Sequence, residues 1–234
     1  MIFVVYNKII MVLKSDDPMN KKCLAYRYIA EHALADKKMK FTVRGIASDL
    51  SIAPDTVSNA VAPLKRTGAI DMQRRYFTLI NFDKLLAIWA VARNFGKDIE
   101  YKTYVAGRSP TEIEGMLPSG IAYTNYSGYT KLFGNAVSTY SEVYAYATEQ
   151  AVEEIRKRFP KNFLSKGSEY CNLIILKSDY VMSKRIMGKT LQKSAVSMPQ
   201  LYVDLWNAKE WYAYEFLKRL KEKMDDKYDK AILE

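Results

Sequence analysis

Residues 42–70 read TVRGIASDLSIAPDTVSNAVAPLKRTGAI, and their punctuation decides the fold of the first third of the chain. Thr42 offers a side-chain oxygen as an N-cap, and Val43, Ile46, Ala47 and Leu50 follow at helical spacing. Ser51-Ile52-Ala53 is a tight turn with an apolar centre. Pro54 suits the first position of a further helix, where no N–H is needed. That helix is predicted to run to about Thr67, with Val57, Val61 and Leu64 on one face and Asp55, Thr56, Ser58, Asn59 and Ala62 on the other. Gly68 supplies its C-terminal cap. Pro63 removes one hydrogen bond and pushes on the carbonyl of Asn59, so a kink or an early end is expected there.

Working outward, Cys23, Tyr26, Ile29, Ala30 and Ala33 recur at three- and four-residue steps and mark a preceding helix to about Leu34. A polar break, Asp36-Lys37-Lys38, separates it from a short strand at Lys40-Phe41. On the other side, Ala69–Met72 and Tyr76–Ile80 read as a hairpin with Gln73-Arg74-Arg75 at its tip. Helix, turn, helix and basic-tipped hairpin is the winged-helix order, and residues 42–70 closely resemble the helix-turn-helix of winged-helix regulators. The resemblance lies in Ala47, the Thr56-Val57-Ser58 run and the exit from Leu64 through Gly68-Ala69-Ile70. It implies that the third helix enters a major groove, where small polar residues let the backbone approach base edges. The candidate DNA-contacting residues are Thr42, Arg44, Asp55, Thr56, Ser58, Asn59, Lys65, Arg66, Arg74 and Arg75. Thr56, Ser58 and Asn59 are assigned to bases, and Lys65, Arg66, Arg74 and Arg75 to phosphates.

Charge distribution agrees. Residues 1–95 hold 15 Lys/Arg against 8 Asp/Glu, a net of +7, and residues 96–234 hold 21 against 18, a net of +3. The basic surplus sits with the candidate DNA-binding part. Two cysteines, Cys23 and Cys171, are too few for a disulfide framework or a zinc motif, and place the chain in the reducing cytoplasm. His32 is the only histidine and falls in a helix with core character, so a structural role is expected for it. Ile2–Leu13 is apolar but interrupted by Asn7 and Lys8. It falls short of the roughly 20 apolar residues that span a bilayer and lacks a cleavage site, so no membrane association is expected. Its readings are an added element packing on the body or on a second subunit, or an over-extended start, since Met11 and Met19 can each begin translation.

Beyond the hairpin, Asn81–Phe95 carries Leu85, Leu86 and Trp89 on a helix expected to link two parts. Strands are predicted at Ile99–Val105, Ile121–Thr124, Glu142–Ala147 and Asn172–Lys177. Helices are predicted from Ser109-Pro110 to Leu117, and at Tyr126–Phe133, Glu149–Arg158, Met198–Trp206 and Glu210–Met224. The charge run Asp225–Lys230 reads as a solvated helix end. The expected class is therefore α+β: an N-terminal extension (1–18), a winged-helix domain (19–82), a linker helix (83–95) and a mixed α/β domain (96–234).

A second resemblance covers most of the chain from about residue 20. It runs through Leu86-Ala87-Ile88-Trp89, Leu117-Pro118-Ser119-Gly120, Tyr126–Gly134 and Glu142–Tyr146 to Pro199-Gln200-Leu201-Tyr202-Val203-Asp204-Leu205-Trp206. These blocks resemble the AbiEi family of type IV toxin–antitoxin antitoxins. The family likeness implies a winged helix on the operon's own promoter and a C-terminal domain that neutralises a nucleotidyltransferase toxin. A homodimer reading two half-sites is the arrangement expected of such a regulator.

The rival reading of residues 96–234 is a nucleotidyltransferase-like enzyme, intact or degenerate. It needs a Gly-Ser turn followed by two closely spaced carboxylates for Mg²⁺. Gly167-Ser168 is a candidate turn and Asp179 a candidate ligand, but Tyr180 and Val181 stand where the second carboxylate is needed. Gly134-Asn135 has no acidic pair after it either. Gly188-Lys189-Thr190 matches only the end of a phosphate loop, with Ser183 in place of the first glycine and Arg185, Ile186 and Met187 filling it. Asp204 and Trp206 read as structural, Asp204 capping or pairing locally. Tyr123, Tyr126, Tyr129, Tyr140, Tyr144 and Tyr146 read as half-buried core rather than base-stacking platforms. No catalytic residue, metal or cofactor is expected. A further alternative is a winged helix that binds protein.

Overall fold

The computed structural model describes residues 18–165 and 170–233. The expected extension over residues 1–18 lies outside the described residues apart from Pro18, and the Gly167-Ser168 turn lies wholly outside them. Among the described residues the chain is α+β, with ten α-helices and two small sheets. It divides into two compact units, Met1–Arg93 and Asn94–Glu234.

In unit 1, α1 (Pro18–Asp36) is followed by strand β1 (Lys40–Phe41), α2 (Val43–Leu50) and α3 (Pro54–Arg66). Strands β2 (Ile70–Met72) and β3 (Phe77–Leu79) and helix α4 (Phe82–Ala92) complete it. The three strands form an antiparallel sheet in the order β1-β3-β2, with Lys40 opposite Thr78 and Phe41 opposite Phe77. The local expectations hold. Thr42 Oγ1 accepts the Gly45 N–H at 2.9 Å. A Cβ at residue 45 would stand 2.8 Å from that oxygen, so Gly45 leaves room for the cap. Gly68 adopts φ +67°, with its N–H on Lys65 O at 3.1 Å and the Ala69 N–H on Leu64 O at 2.8 Å. This double bond is the Schellman closure of α3.

Pro63 does not end α3, which continues to Arg66. The proline lies one turn from the helix terminus, and the residue whose carbonyl loses its partner, Asn59, faces water. Helix α4, expected as a linker, belongs to unit 1: Leu85, Leu86 and Trp89 are fully buried in it. The core of unit 1 includes Ile29, Ile46, Val57, Leu64 and Phe77, with α4 packed on α1 and α3 and Phe41 stacked on Phe77. His32 stacks on Tyr28 at 4.0 Å and places Nδ1 2.9 Å from the Tyr28 carbonyl. The Tyr28 hydroxyl donates to Asp49, and burial together with that carboxylate pushes its phenol up to about 12.

Unit 2 holds strands β4 (Ile99–Thr103), β5 (Ile121–Thr124), β6 (Val143–Ala147) and β7 (Leu173–Lys177) in the order β4-β7-β6-β5. Only β6 and β7 are parallel. Helices α5 (Pro110–Met116) and α7 (Glu149–Arg158) cover one face. There Ile113, Val152 and Ile155 pack on Val143, Ala145, Leu173 and Ile175. Helices α6 (Asn125–Phe133), α9 (Met198–Trp206) and α10 (Ala213–Leu233) lie on the other. Side-chain alternation along β6 sends Tyr144 and Tyr146 to that second face. The helix expected to open at Ser109-Pro110 does so with a capping box between Ser109 and Glu112, and hydrogen bonds from Ser109 hold the Glu112 carboxyl below its usual range. One further helix, α8 (Tyr180–Met187), has no counterpart among the sequence expectations.

Candidate nucleic-acid interface

Helix α3 is two-sided. Val57, Ala60, Val61 and Leu64 are buried, whereas Asp55, Ser58, Asn59, Ala62, Lys65 and Arg66 are exposed and Thr56 is half-buried. Residues 55, 59, 62 and 66 follow one another at four-, three- and four-residue steps, with 58 one turn after 55 and one turn before 62, so the exposed set is one continuous stripe. Its N-terminal half is small and polar and its last turn is cationic. Basic residues there also oppose the negative end of the helix dipole.

The hairpin carries the remaining expected residues. The Gln73 N–H bonds Tyr76 O at 2.8 Å and closes the tip, which leaves Arg74 and Arg75 exposed. Arg44 is exposed on the first turn of α2. Among the described residues, Arg44, Lys65, Arg66, Arg74 and Arg75 have no ion-pair partner, so their charge is open to a ligand. Thr42 is exposed, but its oxygen is occupied as the α2 cap. The structure thus assigns it first to holding α2, with only its hydroxyl hydrogen available to a phosphate.

Three lysines missing from the expected set lie on or just before the edge strand β1, Lys40 toward the hairpin tip and Lys37 and Lys38 toward the hairpin's other end. Lys37, Lys38 and Lys40 are exposed, and β1 pairs directly with β3. Lys40 Nζ lies 5.6 Å from the centre of the Tyr76 ring, beside Arg75 in sequence, and Lys38 Nζ lies 5.4 Å from the Phe41 ring. The run Lys37-Lys38-Met39-Lys40 was the available signal. Its proximity to the hairpin follows from strand pairing across nearly forty residues, which local pattern does not reveal.

In unit 2 the residues considered for catalysis have structural partners. Asp179 Oδ1 accepts the Met182 N–H at 2.9 Å and caps α8. That helix occupies Ser183–Met187, so the chain before Gly188-Lys189-Thr190 is not an open phosphate-binding loop. Asp204 is fully buried and does not pair only locally. It accepts Thr124 Oγ1 at 2.6 Å, the Tyr146 hydroxyl at 2.9 Å and Gln200 Nε2 at 2.9 Å. Among the described residues, no group of three or more His, Cys, Asp or Glu is placed to hold a metal. The tyrosine cluster is core: Tyr123, Tyr126, Tyr129, Tyr144 and Tyr146 are buried, and Tyr140 is partly so. Burial is the leading cause that pushes the phenols of Tyr123, Tyr126, Tyr140 and Tyr144 up, with nearby glutamates adding to it.

No protein-family model, curated protein or solved structure matches the chain. Among the described residues, no helix is long and apolar enough to cross a membrane. Fold and surface together define a two-unit α+β protein whose first unit presents a small polar helix face beside cationic strand ends.

Proposed function

We propose that this protein is a DNA-binding transcriptional regulator whose unit 1 is a winged helix, with α3 as the recognition helix and the β2–β3 hairpin as the wing. One observation carries the reading. The apolar half of α3 is anchored in the core, while Ser58, Asn59, Lys65 and Arg66 on the other half are exposed in the same unit as the exposed pair Arg74 and Arg75. Asn59 offers a bidentate amide to an adenine edge, and the arginines and lysines offer charge to phosphates. The test is a gel-shift titration of the full chain on DNA from upstream of its own reading frame. Affinity is expected to fall by about 10³-fold or more between about 50 and about 200 mM salt, the loss for roughly six phosphate contacts. Affinity that does not move with salt, or no shift on that DNA at low salt, overturns the reading in favour of a protein-binding module.

Unit 2 serves in this proposal as a non-catalytic partner or regulatory domain. The support is that Asp179 is spent on a helix cap and Asp204 on a buried hydrogen-bond network. Mg²⁺-dependent transfer of a labelled nucleotide, lost in Asp179→Ala, would establish the enzyme instead. The AbiEi-like blocks add autoregulation and a toxin partner to the proposal. A nucleotidyltransferase in the neighbouring reading frame is the expected companion.

A further inference from the structure

The connection between α9 and α10 exposes three large aromatic side chains within nine residues: Trp206 at 46%, Trp211 at 78% and Tyr214 at 70%. Indole and phenol faces turned outward this far, so close together in the chain, leave contact area that the fold itself does not use. Between Trp206 and Trp211 lies Glu210, half-buried, and its carboxylate is fixed from beneath. The buried Tyr126 hydroxyl donates to Oε2 at 2.7 Å and the buried Tyr144 hydroxyl to Oε1 at 3.0 Å. Among the described residues these two phenols are its partners, and no lysine or arginine pairs with it. Glu215, exposed on the first turn of α10, adds a second negative charge, while Lys209 stands exposed at the rim.

From this juxtaposition we infer that the α9–α10 connection is a docking surface for a protein segment presenting an arginine between apolar residues. The guanidinium is the group that meets both features at once. Its flat face stacks on an indole, and its N–H fork reaches a carboxylate whose two oxygens each keep a lone pair. Tyr126 and Tyr144 hold Glu210 in place before a partner arrives, so little side-chain freedom is lost on binding. Exposed tryptophans also serve single-stranded nucleic acid and lipid surfaces, but a phosphate backbone or an anionic headgroup would meet Glu210 and Glu215. The inference does not depend on DNA binding by unit 1.

The local reporter is intrinsic. Of the three tryptophans Trp89 is fully buried, so changes in exposed indole emission come from Trp206 and Trp211. The full chain is titrated with an acetylated, amidated peptide of alternating leucine and arginine. A matched peptide carries citrulline, the neutral isostere, in place of arginine. The arginine peptide is expected to shift tryptophan emission saturably, with half-saturation weakened about fivefold or more in Glu210→Gln and in Trp211→Ala. Glu210→Gln keeps an oxygen for a tyrosine hydroxyl, and Trp211 contributes little to the core, so both variants test the surface rather than the fold. The citrulline peptide is expected to bind far more weakly. Equal binding of the citrulline peptide, no emission shift, or the same shift with an oligothymidylate or with phosphatidylserine vesicles each overturns the assignment.

Discussion

Replacing Lys65, Arg66, Arg74 and Arg75 together by alanine is expected to lower affinity for upstream duplex DNA by roughly three orders of magnitude at about 0.15 M salt, and to make the salt dependence shallower by about 3.6 log units per log unit. The estimate assigns one phosphate to each cation and about 0.9 released counterions to each phosphate. All four side chains are exposed, and two of them close α3 while two cap a hairpin tip, so their removal leaves the core of unit 1 intact. The loss of two favourable charges near the C-terminus of α3 costs at most about 2 kcal/mol of stability, visible as a small shift in thermal unfolding. Replacing the same four positions by lysine or, where lysine is native, by arginine keeps the counterion slope. An alanine variant that is folded, binds as wild type does and keeps the full slope would remove both helix and hairpin from the interface. Adding Lys37→Ala, Lys38→Ala and Lys40→Ala asks whether the β1 edge belongs to it as well. Ser58→Ala and Asn59→Ala report on a different quantity, discrimination between sequences, and leave the slope unchanged.

The unit that carries this expectation was largely legible in the sequence because its signals are local. Thr42, Pro54 and Gly68 punctuate α2 and α3 within a residue of the observed ends, and the apolar steps Val57, Val61 and Leu64 gave the buried face directly. The basic hairpin tip followed from the two strand runs around it. The Lys40–Tyr76 proximity needed the β1–β3 pairing, and strand partners distant in sequence leave no trace in composition. In unit 2 the order of strands and helices was readable for the same local reasons, but α8 was missed. Its signal was present in the capping position of Asp179 and in Met182 and Ile186 at a four-residue step. Asp204 shows the other limit. Its partners Tyr146 and Thr124 are 58 and 80 residues away, so the sequence placed it on a helix and could not say what it touches.

That network gives the second large expected effect. Asp204→Ala is expected to destabilise unit 2 by roughly 3–5 kcal/mol, because it strands three buried donors at once. Asp204 is 0% exposed, and Gln200 Nε2 also lies 3.1 Å from the Tyr146 hydroxyl, so the four groups form one connected set joining α9 to β5 and β6. Asp204→Asn retains one acceptor oxygen but turns an NH₂ toward a donor, and falls between wild type and alanine. Tyr146→Phe and Thr124→Val each remove a donor while leaving the carboxylate its others, at about 1–2 kcal/mol each. A double-mutant cycle between Tyr146→Phe and Asp204→Asn is expected to show coupling above about 0.5 kcal/mol in chemical denaturation. Should Asp204→Ala unfold within about 1 kcal/mol of wild type, the network does not hold α9 on the sheet. The carboxylate would then be available for the ligand or metal chemistry that a catalytic reading of unit 2 requires. A large loss of stability means that the same carboxylate is committed to three donors, and recruiting it for chemistry would first cost the unit its fold.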